Sequence, residues 1–484
     1  MTVQAKRIVV VGAGLGGLTA AALLARAGHE VTVIEAHDWV GGKSRRIEVA
    51  GQRIDTGPSL VTFPAVFDTL FERYDALGAR ASRLSAVDAR HIAGLELERL
   101  PEVGRYVFGT ETVDLPVPDD HPWFPAWQRF VAEHAPLSGD VVTLLTSRPL
   151  DPWALPSAAR LLRRYGARLS TRAYLDGLDW MPDGLREVIA IHTLNAGVAP
   201  EHTLALYASM PAMMAVDGIS VPRGGVNEIP LALARLSEHA GATIRTGVSV
   251  TAVERGRVST TAGEMPADIV VSGVDTSIID GLLGRPVRRP EQLSCSGVGV
   301  FVVFEEPLPE DTVTHSVVMP SDPAALHASL ERRAEPGETM AFVNYYRPGH
   351  VYPNDHATAA ILLTAPANGE RYDLDSPFVA RELERISAAL GLNPTLRERI
   401  AEHVLFDPEY FSEFGAAGGA LYGRRRPLWQ SGPFQRPGYH SVTRPWLWRV
   451  GASVHPGGGI PAVLGGAMNA TELLLKRIGV ASAS

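Results

Sequence analysis

Four consecutive apolar residues, Ile8, Val9, Val10 and Val11, run directly into a cluster of glycines at Gly12, Gly14, Gly16 and Gly17. An alanine-rich stretch (18–27) follows, and a second apolar run (31–34) ends on Glu35. Short apolar runs bounded by turn residues read as buried strands and the stretch between them as a helix, so this segment predicts a βαβ unit. Further along, 229–240 has helical spacing, 242–253 alternates like paired strands, and 267–272 reads as a buried strand returning to the same sheet. Strands are also expected around 298–304 and 340–346. Residues 446–463 end a strand, cross a glycine-rich turn and enter a helix extending to about Ile478. Within 141–172, Leu144, Leu145, Trp153, Leu155, Leu161, Leu162 and Tyr165 are interleaved with Arg148, Arg160, Arg163, Arg164 and Arg168. An amphipathic basic helix is expected there after Pro156, either packing its apolar side on the protein or resting on an anionic bilayer.

Composition narrows the picture. Residues 8–25 carry no charge over 18 positions and follow Lys6 and Arg7, superficially like a signal peptide or a membrane span. The glycine cluster divides that stretch into a strand and a helix, and no other segment offers a transmembrane helix. At 484 residues and 45% hydrophobic content, the chain can build two or three substructures with substantial cores. A net charge of −8 leaves no basic excess to meet a phosphate backbone, which argues against nucleic acid as a partner. The single cysteine, Cys295, excludes an intramolecular disulfide, a cysteine zinc cluster and a cysteine-ligated iron–sulfur centre, and suits a reducing compartment. His29, His37, His91 and His134 are scattered without metal-ligand spacing, so no metal site is expected.

The glycine pattern carries specific chemistry. Gly12 permits the tight turn out of the first strand, Gly14 lets the backbone approach a pyrophosphate, and Gly17 lets the helix pack closely on the sheet. The helix N-terminus then faces the phosphates, where its dipole and free N–H groups favour negative charge. Glu35 falls where a carboxylate accepts hydrogen bonds from a ribose hydroxyl, the position expected for an adenosine without a 2′-phosphate.

After Glu35 come Gly41, Gly42, Lys43, Ser44 and Arg45, then Asp55, Thr56, Gly57 and Pro58. This resembles the Gly-Gly-basic element and the Asp-x-Gly-Pro segment of FAD enzymes in the amine oxidase and carotenoid desaturase superfamily, with lysine where arginine is commoner. Gly451, Ala452, Ser453, Val454, His455, Pro456, Gly457, Gly458, Gly459, Ile460 and Pro461 resemble the Gly-Ala-x-Thr-His-Pro-Gly-x-Gly-Ile-Pro signature of bacterial phytoene desaturase-type enzymes. Within that family, the Gly418, Gly419, Ala420, Leu421, Tyr422, Gly423 element, the segment 434–438 and the Ser-Val-His-Pro-Gly form of the signature are similar to the hydroxycarotenoid 3,4-desaturases.

The resemblance implies an α/β fold: an FAD-binding Rossmann-like domain assembled from residues 1–90, 212–289 and 426–484, with an inserted α+β substrate and membrane-contacting domain from 91–211 and 290–425. It implies FAD held by Gly12, Gly14, Gly16, Gly17, Glu35, Gly41, Gly42, Lys43, Gly57, Gly451, Ala452, Gly459 and Ile460, with the backbone of Val250 against adenine. Arg45 and Arg46 are either helpers at the pyrophosphate or solvated surface charges. The implied reaction inserts the C3–C4 double bond into a hydroxylated acyclic carotenoid by hydride transfer to flavin and proton loss, oxygen or a quinone serving as the electron acceptor. His455 is the catalytic candidate as proton acceptor, although its place before Pro456 equally suits shaping the turn. A cytoplasmic, peripherally membrane-attached enzyme is expected. A multistep phytoene desaturase, a carotenoid isomerase, an FAD amine oxidase and a non-catalytic lipid-binding protein related to Rab-GDI are the alternatives.

Overall fold

The structure is a computed structural model describing residues 4–78, 88–287, 290–431 and 435–479. Phe434 and the domain boundary at residue 289 lie outside the described residues. At the centre is a five-stranded, all-parallel sheet in the order Leu447–Arg449, Ile269–Ser272, Arg7–Val11, Glu30–Ile34, Thr243–Arg245. Its register aligns Val10 with Val33 on one side and Val271 on the other.

Period-two alternation explains why the first strand is apolar from Ile8 to Val11. Ile8 and Val10 join the core beneath the helices Leu15–Arg26, Glu228–His239 and Ile460–Arg477, while Val9 and Val11 face the opposite layer. That opposite layer is a three-stranded antiparallel meander, Val250–Glu254, Gly256–Thr260 and Gly263–Ala267, with the helix Thr276–Leu282. The alternating stretch 242–253 therefore does not pair with itself. Its first half joins the parallel sheet and its second half opens the meander.

A seven-stranded sheet lies apart, in the order Ile400–Phe406, Ser296–Phe304, Thr358–Ala365, Ala341–Tyr346, His315–Val318, Gly104–Phe108, Glu111–Leu115. Every residue of Ser296–Phe304 is buried. Val298, Val300, Val302 and Phe304 pack with Phe378, Leu383 and Ile386 of the helix Pro377–Ala389, whereas Phe301 and Val303 pack with Ile47 and Ile54 of the hairpin Arg46–Val49/Gln52–Asp55. The hairpin thus ties this sheet to the chain's N-terminal segment. Short helices from 124 to 217 complete the molecule. Among the described residues, no helix is long and apolar enough to cross a membrane.

Candidate functional site

The glycines around the first helix meet neighbours that tolerate no side chain. A Cβ on Gly17 would lie 2.1 Å from the carbonyl oxygen of Gly12, and one on Gly16 would lie 2.8 Å from the backbone nitrogen of Gly451. Gly12 sits at φ +93°, a conformation that favours glycine. The first glycine turn and the C-terminal glycine turn are therefore in direct backbone contact, although 435 positions separate Gly16 from Gly451. Gly41 donates its N–H to the Ala13 carbonyl at 2.8 Å, and a Cβ on Gly57 would lie 2.6 Å from the Lys43 carbonyl oxygen. The segments 12–17, 41–43 and 451–460 thus converge on one edge of the parallel sheet, with Gly57 behind Lys43.

Gly14 differs from its neighbours. It is the N-cap of Leu15–Arg26 without a side-chain cap, the first turn holds no acidic residue, and a Cβ built on it meets nothing within 4 Å. Gly459 repeats this arrangement at the start of Ile460–Arg477: no side-chain cap, no acid in the first turn, and open space at its Cβ. Two helix N-termini with unused N–H groups therefore open onto clear space at the same edge. That is a cradle for an anionic, elongated group.

Glu35 is buried, and its carboxylate accepts from the Ala13 N–H at 2.7 Å and the His37 N–H at 3.0 Å. Two oxygens offer about four acceptor positions, so capacity for a hydroxyl remains. Val248, rather than Val250, is tied to the acidic strand end, its N–H donating to the Glu35 carbonyl at 2.9 Å. Val250 stands two residues on, opposite Thr260 at the start of the meander.

Lys43 reaches the loop at Leu421. Its Nζ donates to the carbonyl oxygen of Leu421 at 2.7 Å, and burial, opposed by the charge of Asp275, brings its pKa down to about 8. Neither neighbouring arginine is a solvated surface charge. Arg45 stacks over Trp39 at 3.9 Å, and Arg46 pairs with Asp55 at 2.9 Å and Glu228 at 3.1 Å. Burial raises the Asp55 carboxyl, against the lowering effect of Arg46 and the Asn227 N–H.

At the C-terminal turn, Ala452 is half-buried beside Gly451, which adopts φ +91°. Asp275, a residue for which the linear pattern gave no signal, accepts from Ser453 Oγ at 3.1 Å and caps Thr276–Leu282, while Arg426 donates to the Ser453 carbonyl at 2.9 Å. His455 is buried with its ring edge-on to Tyr439, and a Cβ on Gly466 of the final helix would lie 2.6 Å from the His455 carbonyl oxygen. The backbone of His455 is thus wedged against that helix. Cys295 is buried immediately before the strand Ser296–Phe304, and burial pushes its thiol up to about 12, so it is an inert apolar side chain at neutral pH.

The model of the flavin containing amine oxidoreductase family matches residues 15–391. The chain belongs to that family. Phytoene dehydrogenase of Streptomyces griseus is 30% identical over 94% of this chain and 92% of its own length. Hydroxyneurosporene desaturase of Rubrivivax gelatinosus is 29% identical over 97% of this chain and 93% of its own. Among solved structures, putrescine oxidase bound to putrescine superposes with a TM-score of 0.63 at 16% identity, over 98% of this chain and 99% of that one. A fatty acid isomerase from P. acnes gives 0.57 at 16% identity, over 98% of each chain. Those two likenesses establish the fold. The chain is a flavin-dependent oxidoreductase of the carotenoid desaturase group, its cofactor is FAD, and the paired open helix N-termini at Gly14 and Gly459 fit that dianionic group.

Proposed function

We propose that this flavoprotein introduces the C3–C4 double bond into a hydroxylated acyclic carotenoid. Gly12, Gly14, Gly16, Gly17, Gly41, Gly42 and Glu35 hold the adenosine and pyrophosphate, and Gly451, Ala452, Gly459 and Ile460 hold the flavin ring. Bound FAD supplies a two-electron acceptor. The substrate loses a hydride from one carbon and a proton from the next, and oxygen or a quinone takes the electrons afterwards.

An allylic C–H lacks a carbonyl to acidify it, so a side-chain base of ordinary pKa cannot begin the reaction. The chain's part is to orient the polyene, exclude water and stabilise negative charge on the cofactor through the N-terminus of Ile460–Arg477. One observation carries the finer assignment. The loop 418–423, whose sequence is similar to the hydroxycarotenoid 3,4-desaturases, runs against the candidate flavin turn: a Cβ on Gly458 would lie 2.5 Å from the Tyr422 ring, and Lys43 grips Leu421.

Access for so apolar a substrate is expected from a membrane. The helix Leu155–Tyr165 buries Ser157, Leu161 and Tyr165 and turns Leu155 and Leu162, 56% and 64% exposed, outward beside Trp153 at 88%. Arg160 is paired with Asp140 and Arg164 with Glu133. This outward apolar stripe is the surface proposed to enter the bilayer.

The test is anaerobic incubation of FAD-loaded protein with liposomes carrying either phytoene or a 1-hydroxylated acyclic carotenoid, following flavin bleaching and product mass. Loss of two hydrogens from the hydroxylated carotenoid alone, with matching bleaching, supports the assignment. Reaction with phytoene moves it to the multistep desaturases, which the Streptomyces griseus relative keeps in view.

A further inference from the structure

Tyr422 occupies a slot between two glycines from opposite parts of the molecule. A Cβ on Gly458 would lie 2.5 Å from its ring on one side, and a Cβ on Gly197 would lie 2.6 Å from it on the other. Gly197 ends the turn of helix Ile191–Ala196 in the left-handed conformation, at φ +73°. The backbone around the ring is equally fixed: Tyr422 N–H donates to Ser294 Oγ at 3.0 Å, Leu421 N–H to the Cys295 carbonyl at 3.0 Å, and Cys295 N–H to the Gly197 carbonyl at 2.7 Å. The ring therefore sits where the 191–196 turn, the start of the strand Ser296–Phe304 and the 457–459 turn meet.

Its hydroxyl is not used. Among the described residues, nothing within hydrogen-bonding distance pairs with the phenol oxygen of Tyr422 or with that of Tyr207, in the turn Ala205–Ser209. Burial raises both phenols, and Tyr207 and Cys295 are near enough to raise Tyr422 further. Yet each ring keeps some accessible surface. A largely buried phenol that has no protein partner and keeps accessible surface can take a hydrogen-bonding partner from outside the chain. At neutral pH both remain protonated, so each can donate or accept.

We propose that Tyr422 and Tyr207 are specificity-determining residues that hydrogen-bond the hydroxyl of the substrate's end group, a tertiary alcohol, beside the flavin turn. The inference rests on the hydroxycarotenoid reading above and supplies the register that reading lacks. The carbon that bears the hydroxyl, C1, lies two bonds from C3, so an anchor that puts C3–C4 before the flavin must stand beside the flavin turn, and Tyr422 packs on Gly458 of that turn. An alcohol can donate to one phenol and accept from the other; a hydrocarbon end group leaves both unpaired. Sites built to pair a hydroxyl discriminate strongly against analogues lacking it.

The test compares FAD-loaded wild-type protein with Tyr422→Phe and Tyr207→Phe. Binding of a 1-hydroxylated acyclic carotenoid and of its unhydroxylated counterpart is read from the shift of the polyene's visible bands, with FAD content and product mass measured alongside. The wild type is expected to bind the hydroxylated compound at least roughly 10-fold more tightly, and each Phe variant to lose most of that preference while binding the hydrocarbon as before. Equal wild-type affinities, an equal loss on both compounds, or release of FAD by Tyr422→Phe overturns the proposal. A preference that the Phe variants abolish, together with a product oxidised elsewhere in the chain, sustains hydroxyl recognition and overturns only the 3,4 assignment.

Discussion

Gly14→Ala separates cofactor binding from folding more cleanly than any other change at the site. A Cβ there meets no protein atom within 4 Å, and the residue's φ of −69° and ψ of 171° are open to alanine. The apoprotein should therefore barely notice it. Losing the preferred glycine at an N-cap and gaining from a stiffer unfolded chain are opposing effects of at most about 1 kcal/mol each, which for a large domain moves Tm by no more than about 2–4 °C. If the pyrophosphate lies in that open space, the added methyl group occupies it, and overpacking of about 1–3 kcal/mol weakens FAD roughly 5- to 150-fold. Gly16→Ala is the contrasting variant. Its Cβ would have to clear Gly451 from 2.8 Å to an ordinary contact of 3.4 Å or more, so the apoprotein itself should lose stability and the two turns should part. Thermal unfolding of the apoprotein and FAD titration by fluorescence quenching give both quantities for both variants. Wild-type FAD affinity in Gly14→Ala would refute the placement of the pyrophosphate.

Other consequences follow from the same geometry. Glu35→Ala should cost both stability and FAD retention, because it strands the buried N–H groups of Ala13 and His37 at about 1–3 kcal/mol each; unfolding of the apoprotein checks this, and an unchanged Tm argues against those bonds. Lys43 has a folded pKa of about 8 against 10.5 when unfolded, so its folded state binds the proton less tightly. Its burial therefore costs stability in full below pH 8, and the loss is recovered as pH rises from 8 toward 10.5. Lys43→Met should remove that rise, seen as a wild-type minus variant difference in urea unfolding of the apoprotein across those pH values; parallel curves refute it. Trp153→Ser with Leu162→Ser should lower vesicle binding by roughly 10-fold or more, since each exposed side chain gains about 1.5–3 kcal/mol on full burial, without shifting Tm. With Arg160 and Arg164 already paired to carboxylates, flotation assays should show much the same loss on neutral and on anionic vesicles.

The parts of this molecule that could be read along the chain are those whose causes are local. Gly12 needs a positive φ, Gly17 must clear an oxygen five residues back, and residues 8–11 alternate between two buried layers, so each leaves its mark within one short segment. The direction of Lys43, the bond of Asp275 to the C-terminal turn and the slot around Tyr422 depend on partners far along the chain, 378 positions for Lys43 and 178 for Asp275, and no periodicity records them. The helix after Pro156 shows the same limit from the other side. Its apolar and basic residues leave open whether the apolar side packs on the protein or rests on a bilayer, and the structure divides them: Ser157, Leu161 and Tyr165 point inward while Leu155 and Leu162 point out. The reason is a buried polar network: Tyr165 and His134 Nδ1 both meet Ser209 Oγ, and Tyr174 meets His134 Nε2 at 3.0 Å. That network ties Tyr165, and with it this face of the helix, to the interior, where an unpaired phenol would cost about 1–3 kcal/mol.

Seen this way, the loop 418–423 gains a reason for its composition. Gly418 and Gly419 lie at φ +63° and +74°, and Cβ atoms there would fall 2.1 Å and 2.0 Å from the carbonyl oxygens of Ala367 and Pro408, so the backbone is pressed against the segments that leave two strands of the seven-stranded sheet. Two residues later Leu421 presents its carbonyl to Lys43, and Tyr422 is driven between Gly197 and Gly458. One short segment therefore joins the seven-stranded sheet to the C-terminal glycine turn. A shift of that loop would move a phenol and a buried ammonium together, which makes it the place where a change of end group would be felt first. Substituting Gly197, whose Cβ would also lie 2.8 Å from Ser294 Cβ, should displace Tyr422 while the added methyl itself contacts none of Gly14, Gly16, Gly451 and Gly459. Gly197→Ala is thus expected to alter which carotenoid is bound while FAD affinity stays at the wild-type value, and a parallel loss of both would mean that the loop serves the flavin alone.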